Sequence, residues 1–372
     1  MASQLLGVDN ENKDSLLDKK HLKAERLEYQ QEVIDYIIKD RLNPTKGQLK
    51  KYKDNLIRWG NLYKMVQDRK NYAGLANLFI PETLKAAETL TSIIHFGVFG
   101  QSNFMRYRGW ENTDDVSAEI LTQLTYHQMG ENKFELNMMG FERQLSIYGT
   151  ALRKVLWDFK EREIKTKIKS QSKVEKSSQL ESLRDVWTFD WVDLLNFWIP
   201  PDTPWWDIQQ AEWMAETYSV NESWVRDKIK KNWISEKKGK TFLKESSNKG
   251  AESDSEELKR KRLNSSHIFT SLKDKNKHLI TEWYGLLPAK YVKDDGDKLD
   301  DDDLVLSVCI IGNDDTILKL DKVINIFWHN MYPYLSCVLI PLEGEFFGLG
   351  VAQVSESLQE ELNDTRNQTM DN

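Results

Sequence analysis

Apolar residues recur every three or four positions through the first 149 residues, then alternate or run together in short blocks, a change that predicts helices followed by sheet. Leu22, Leu27, Val33, Ile34, Ile37 and Ile38 place an amphipathic helix over 14–43, with Asn43-Pro44 as its stop because the residue before a proline avoids helical geometry. Leu49, Tyr52, Leu56, Trp59, Tyr63 and Val66 predict a second helix over 45–72. A third begins at Pro81, which tolerates a first helical turn, carries Leu84, Ala87, Leu90, Ile93 and Ile94, and ends at Gly97 and Gly100. Asp114-Asp115 opens a fourth, and Phe134 to Gly149 reads as a fifth.

From Ala151 to Asp158 apolar and polar residues alternate as in a half-buried strand. The charged, Ser-rich stretch 160–182, with Ile164, Ile168 and Val174 among lysines, reads as the outer part of a long hairpin whose charge opposes edge-to-edge association; a nucleic-acid patch is the alternative for the same lysines. Val192–Ile199 leads into a Pro200-Pro201-Asp202 turn, 207–218 is helical or extended, and a short helix starts near Asn221 as its N-cap. Residues 235–266 have few apolar groups and read as a flexible insertion. Strands follow at His278–Gly285, Leu304–Ile311 and Thr316–Leu318; DDGDKLDDDD, residues 294–303, lacks the glycine and distal glutamate of an EF-hand and reads as a solvated turn. The class expected is α+β, with N-terminal helices, a mixed β-sheet and a long final helix, divided into a helical region 1–80, helices and strands over 81–234, the insertion 235–266, strands over 267–343, and a closing helical segment 344–372.

Composition narrows the function. The 372 residues, 40% hydrophobic, suffice for two or three domains, and a net charge of −7 gives no global basic field for gripping nucleic acid. Thirteen tryptophans, eight of them between 187 and 233, serve as core filler or as an aromatic interface with a neighbouring subunit. Two cysteines fit a reducing compartment, and neither a leader-like N-terminus nor an apolar run near the ~18 residues of a membrane span is present, so a soluble, unsecreted protein is expected. Six scattered histidines make no metal-binding spacing, and there is no P-loop, dinucleotide fingerprint or nucleophile elbow. The expectation is a protein that is not an enzyme and holds no metal or cofactor.

The end of the chain is the most informative part. In GEFFGLGVAQVSESLQEELNDTRNQTMDN, Val351, Val354, Leu358, Leu362 and Thr365 form one narrow apolar stripe, while Gln359, Asn363 and Asn367, four apart, form a row of amides. The amides are expected either in a solvated face or paired with equivalent groups on an adjacent helix. Glu356, Glu360, Glu361, Asp364 and Asp371 against Arg366 make the helix acidic, and no breaker precedes Asn372, so the chain reads as cut within an element.

This segment resembles the portal (head–tail connector) family of tailed bacteriophages, in which an aromatic-glycine-x-glycine turn leads into a helix patterned Q-x-x-[IL]-N-x-x-[RK]-N-x-x-x-[DN]-N. The matching positions are Phe347, Gly348, Gly350, Gln359, Leu362, Asn363, Arg366, Asn367, Asp371 and Asn372. YGTALRKVLWDF (148–159), VDLLNFWIPPDT (192–203), EWYG (282–285) and Tyr332-Pro333-Tyr334 are similar, more weakly, to family segments in the same order.

The resemblance covers about 80–372 and implies a wing domain followed by the start of a stem helix, with the later clip, second stem helix and crown absent, as in a shortened portal chain. It further implies a homo-oligomeric ring, usually a dodecamer, at the capsid vertex of the virion, assembled in the host cytoplasm. Its implied partners are further copies of itself, the large terminase subunit, major capsid and scaffolding proteins, a head–tail adaptor, and double-stranded DNA passing through the channel, with no membrane. Val354, Leu358 and Leu362 join the motif residues as the expected subunit interface. A nucleic-acid-processing enzyme of a mobile element and a capsid adaptor are the competing readings.

Overall fold

The computed structural model describes residues 29–66, 76–101, 103–111, 114–170, 173–231, 233–246, 277–292 and 299–372, and the fold is α+β. The first helix does not stop at Asn43-Pro44. It passes through a π-helical stretch, Asp35–Leu42, straight into α1, Asn43–Tyr63, with the Asn43 N–H donating to Ile38 O. A proline inside a helix collides with the carbonyl four residues back, and the wider π turn moves that carbonyl aside. Val33, Ile34, Ile37, Ile38 and Leu42 thereby stay on one buried face that continues into Leu49 and Leu56. α1 ends at Tyr63 rather than near 72, and Met65 takes a positive φ just beyond it; 67–75 lie outside the described residues.

The next three helices follow their sequence signals: α2, Glu82–Phe99; α3, Asp115–Glu131; and α4, Phe134–Tyr148. A hairpin of β1, Thr150–Ser170, and β2, Lys173–Trp191, comes next, as expected from 160–182. Then come β3, Phe197–Trp198; β4, Trp213–Asn221; α5, Glu222–Lys230; and α6, Glu236–Ser246. Asn221 precedes α5 as expected, though its side chain makes no capping bond. α6 corrects the flexible insertion over 235–246: Phe242 is buried and lies where a Cβ on Gly312 would strike its ring, and with the half-buried Leu243 it secures an otherwise polar helix. Residues 247–266 lie outside the described residues.

β5, Lys277–Pro288; β6, Leu304–Gly312; β7, Thr316–Lys322; the short α7, Val323–Ile326; and β8, Tyr334–Val338, lead to the final helix α8, Val351–Asp371. Two antiparallel sheets result, ordered β2-β1-β8 and β3-β4-β5-β6-β7. β6 reads Val308-Cys309-Ile310-Ile311, all fully buried, because both faces of its sheet are covered. Ile310 faces the α5–α6 cluster with Ile280 and Leu318, while Cys309 and Ile311 face the main core with Trp283 and the N-terminal helices. Of the tryptophans, Trp198, Trp213 and Trp283 fill the core, and Trp110, Trp206 and Trp328 are exposed.

The two sheets are joined by a buried polar cluster. Lys154 on β1 pairs with Glu282 on β5 at 2.7 Å and with Glu216 on β4 at 3.4 Å, and the hydroxyls of Tyr218 and Tyr334 donate to Glu282 and Glu216. Burial raises the Glu216 carboxyl above its ordinary value despite Lys154. Burial also opposes ionisation of Glu282, but Lys154 and the tyrosine hydroxyls outweigh it and hold that carboxyl below its ordinary value.

Candidate assembly surface on the C-terminal helix

The main chain crosses itself where 147–149 meets 348–350. Gly149 ends α4 with φ +77°. A Cβ on it would overlap the Leu349 carbonyl carbon, and a Cβ on Gly350 would overlap the Ile147 oxygen. Three hydrogen bonds close the crossing: Gly348 N–H to Thr150 Oγ1 at 2.9 Å, Leu339 N–H to Gly149 O at 2.8 Å, and Leu349 N–H to Ile340 O at 2.9 Å. Phe347, buried, stacks on Tyr52 of α1 at 4.2 Å. The glycine turn singled out in the sequence is therefore a close packing of two backbones, and it sets the direction in which α8 leaves.

α8 presents two unlike faces. Its amides are neither solvated nor paired with amides of another helix; Gln359, Asn363 and Asn367 are buried against the main chain of 76–83, the extended segment 76–80 and the first turn of α2. Thr83 N–H donates to Gln359 Oε1 at 3.0 Å, Ile80 N–H to Asn363 Oδ1 at 3.0 Å, and Leu78 N–H to Asn367 Oδ1 at 2.7 Å. Ala76 N–H continues the series to Asp371 at 2.6 Å. In return Gln359 Nε2 donates to Ile80 O and Asn367 Nδ2 to Leu78 O. The match is geometric: four helical residues rise ~6.0 Å and two extended residues span ~6.6–6.8 Å, so Asn363, Asn367 and Asp371 meet the alternate residues Ile80, Leu78 and Ala76, while Gln359 meets Thr83 where the chain turns helical. Pro81 cannot cap α2 with a side chain, and Gln359 satisfies one of that helix's orphan N–H groups instead.

The acidic residues of α8 are also partly engaged within the chain. Glu356 is held by Arg58 and by Trp59 Nε1 at 3.1 Å, Glu360 by Arg58 at 3.3 Å, and Asp371 by Ala76. Segment 76–80 and Arg58 carry no signal of their own in the sequence, and Trp59 and Pro81 read there only as an apolar helix position and a helix start. The one local signal for the contact is a proline-led helix with no capping residue of its own.

The predicted stripe runs beside the amide row, about 100° round the helix from it. Val354, Leu358 and Leu362 are 58%, 67% and 40% exposed, and Arg366 and Asn372 are exposed beyond them. Val351 is instead packed against the main core, and Thr365 is exposed. The two faces make α8 a helix anchored by its polar side and open on its apolar side, the reverse of the usual surface helix.

Among the described residues no group of three His, Cys, Asp or Glu side chains is placed to hold a metal ion, and no helix is long and apolar enough to cross a membrane. No protein-family model matches the chain, and no curated protein matches it either.

Proposed function

We propose that this chain is a portal subunit of a tailed bacteriophage: one of a closed ring of identical chains at a capsid vertex, probed by size and shape rather than by catalysis. In this reading it performs no covalent chemistry. The ring passes double-stranded DNA during packaging and ejection, a separate large terminase subunit hydrolyses ATP, and a head–tail adaptor docks on the ring's outer side. The reading rests on the likeness of the closing motif to that family, and the observation that carries it is the inverted seating of α8. Its amides are consumed within the chain, while Val354, Leu358 and Leu362 keep much of their apolar surface exposed. An identical subunit meeting that ridge with a different surface of its own would make the heterologous contact from which rings close.

Sedimentation velocity and negative-stain microscopy of the purified chain test this directly. Rings with a central hole support it; a monomer at every concentration, or a two-fold dimer, overturns it. Full burial of each leucine contributes ~1.5–3 kcal/mol, repeated at every interface, so Leu358→Ser with Leu362→Ser is expected to shift rings to monomers while near-UV circular dichroism stays unchanged.

A further inference from the structure

Beyond Lys154 the β1–β2 hairpin continues as a two-stranded ribbon. β8 pairs with β1 only from Thr150 to Lys154, whereas β1 and β2 remain in register out to Ser170 and Lys173, and among the described residues no third strand joins them there. From residue 160 to 170 this arm reaches about 36 Å at ~3.3 Å per residue. A two-stranded ribbon alone is marginal in water and gains order when something packs on it.

The arm's charge says what that partner is. Residues 164–180 contain five lysines and one glutamate, a net +4, in a chain of net −7, so the remaining residues total −11. Arms repel one another and are drawn to the body of another copy. The densest exposed negative charge in the described residues is Asp300–Asp303, a turn leading into β6 on the other sheet, held by Asp300 N–H donating to Asp303 Oδ2 at 2.9 Å.

We propose that the β1–β2 arm of one copy packs on the Asp300–Asp303 turn of the adjacent copy, a charge-driven clasp between subunits. It rests on the self-assembly reading above but uses a surface separate from α8.

The test is a charge exchange between full-length chains, followed by sedimentation velocity at about 50 mM and about 500 mM salt. One variant carries Lys165→Glu, Lys167→Glu and Lys169→Glu; the other carries Asp300→Lys, Asp301→Lys and Asp302→Lys, which makes that turn net positive and leaves Asp303 in place. Each alone is expected to need at least about tenfold more protein to assemble at low salt, and the two mixed are expected to assemble together like wild type, because every arm then meets a turn of opposite sign. If both variants assemble normally, the clasp is wrong while the α8 reading stands. If a chain carrying both sets assembles but the mixture does not, the contact lies within one chain and the clasp is overturned. Loss of double-stranded DNA binding by the lysine variant with assembly intact makes the arm a nucleic-acid surface instead, which also overturns it. A wild-type chain that never self-associates removes both proposals.

Discussion

The side-chain Oδ1 of Asn363 accepts the main-chain N–H of Ile80 at 3.0 Å, across nearly the whole length of the chain, and also accepts Nε2 of Gln359 at 3.0 Å. One buried amide therefore ties the final helix to the extended strap that precedes α2. As a solvated amide Asn363 would be dispensable. Buried, it leaves the Ile80 N–H without its acceptor and takes one of two acceptors from Gln359 Nε2 when removed, so Asn363→Ala is expected to cost about 1–3 kcal/mol in urea unfolding and to speed hydrogen exchange at Ile80. An unchanged Ile80 amide would show that the strap is held by other contacts.

The backbone crossing makes a paired prediction about glycine. Gly350→Ala sets a methyl group against the Ile147 oxygen and the Gly149 nitrogen, neither of which can swing away, and is expected to cost about 1–3 kcal/mol or more, read as a fall in Tm. Gly47, within α1, has open space at its Cβ position. Gly47→Ala is expected to raise stability by about 0.5–1 kcal/mol through helix propensity.

Lys53 supplies a pH dependence. Its ammonium group is buried between Leu194 O and Phe197 O, the latter at 2.5 Å, and lies 4.4 Å from the Trp198 ring. Burial pushes it down from 10.5 to about 7, with Asp193 opposing the shift. Between those two values the unfolded chain binds the proton more tightly than the folded one, so folding stability rises with pH across that window and is flat with respect to this group below it. Urea unfolding at pH 7 and pH 9.5 is expected to show a smaller rise in Lys53→Met than in the wild type. Equal rises in the two proteins would assign the dependence to other lysines.

Lys154 forms the ion pairs of the cluster joining the sheets. Lys154→Met leaves Glu282 and Glu216 buried without it and is expected to cost about 3–5 kcal/mol near neutral pH. In the wild type, Glu282's lowered carboxyl contributes stability above the ordinary carboxylate range that is lost as pH falls through its folded value. In the variant that carboxyl is raised instead, so protonation relieves it. The gap between the two proteins is expected to narrow as pH falls from 7 toward about 4.5, measured as the difference in urea midpoints.

The sequence by itself determined the local elements whose signals lie within a few residues. Helices α2 to α4, the end at Gly149, the β1–β2 hairpin and strands β5 to β7 follow from periodicity and from the torsional freedom of glycine and proline. It also marked Gly348, Gly350 and the row Gln359, Asn363 and Asn367 as unusual. Only the tertiary structure decided what they do. The glycines answer to residues 147–149, and the amides to 76–83, an extended segment with no periodicity of its own. The same holds for Pro44, tolerated because a π turn precedes it, and for α6, a polar stretch ordered by Phe242 reaching Gly312. In each case the stabilising partner is a main chain, a widened helical turn or a missing side chain, none of which a pattern of apolar and polar positions can represent.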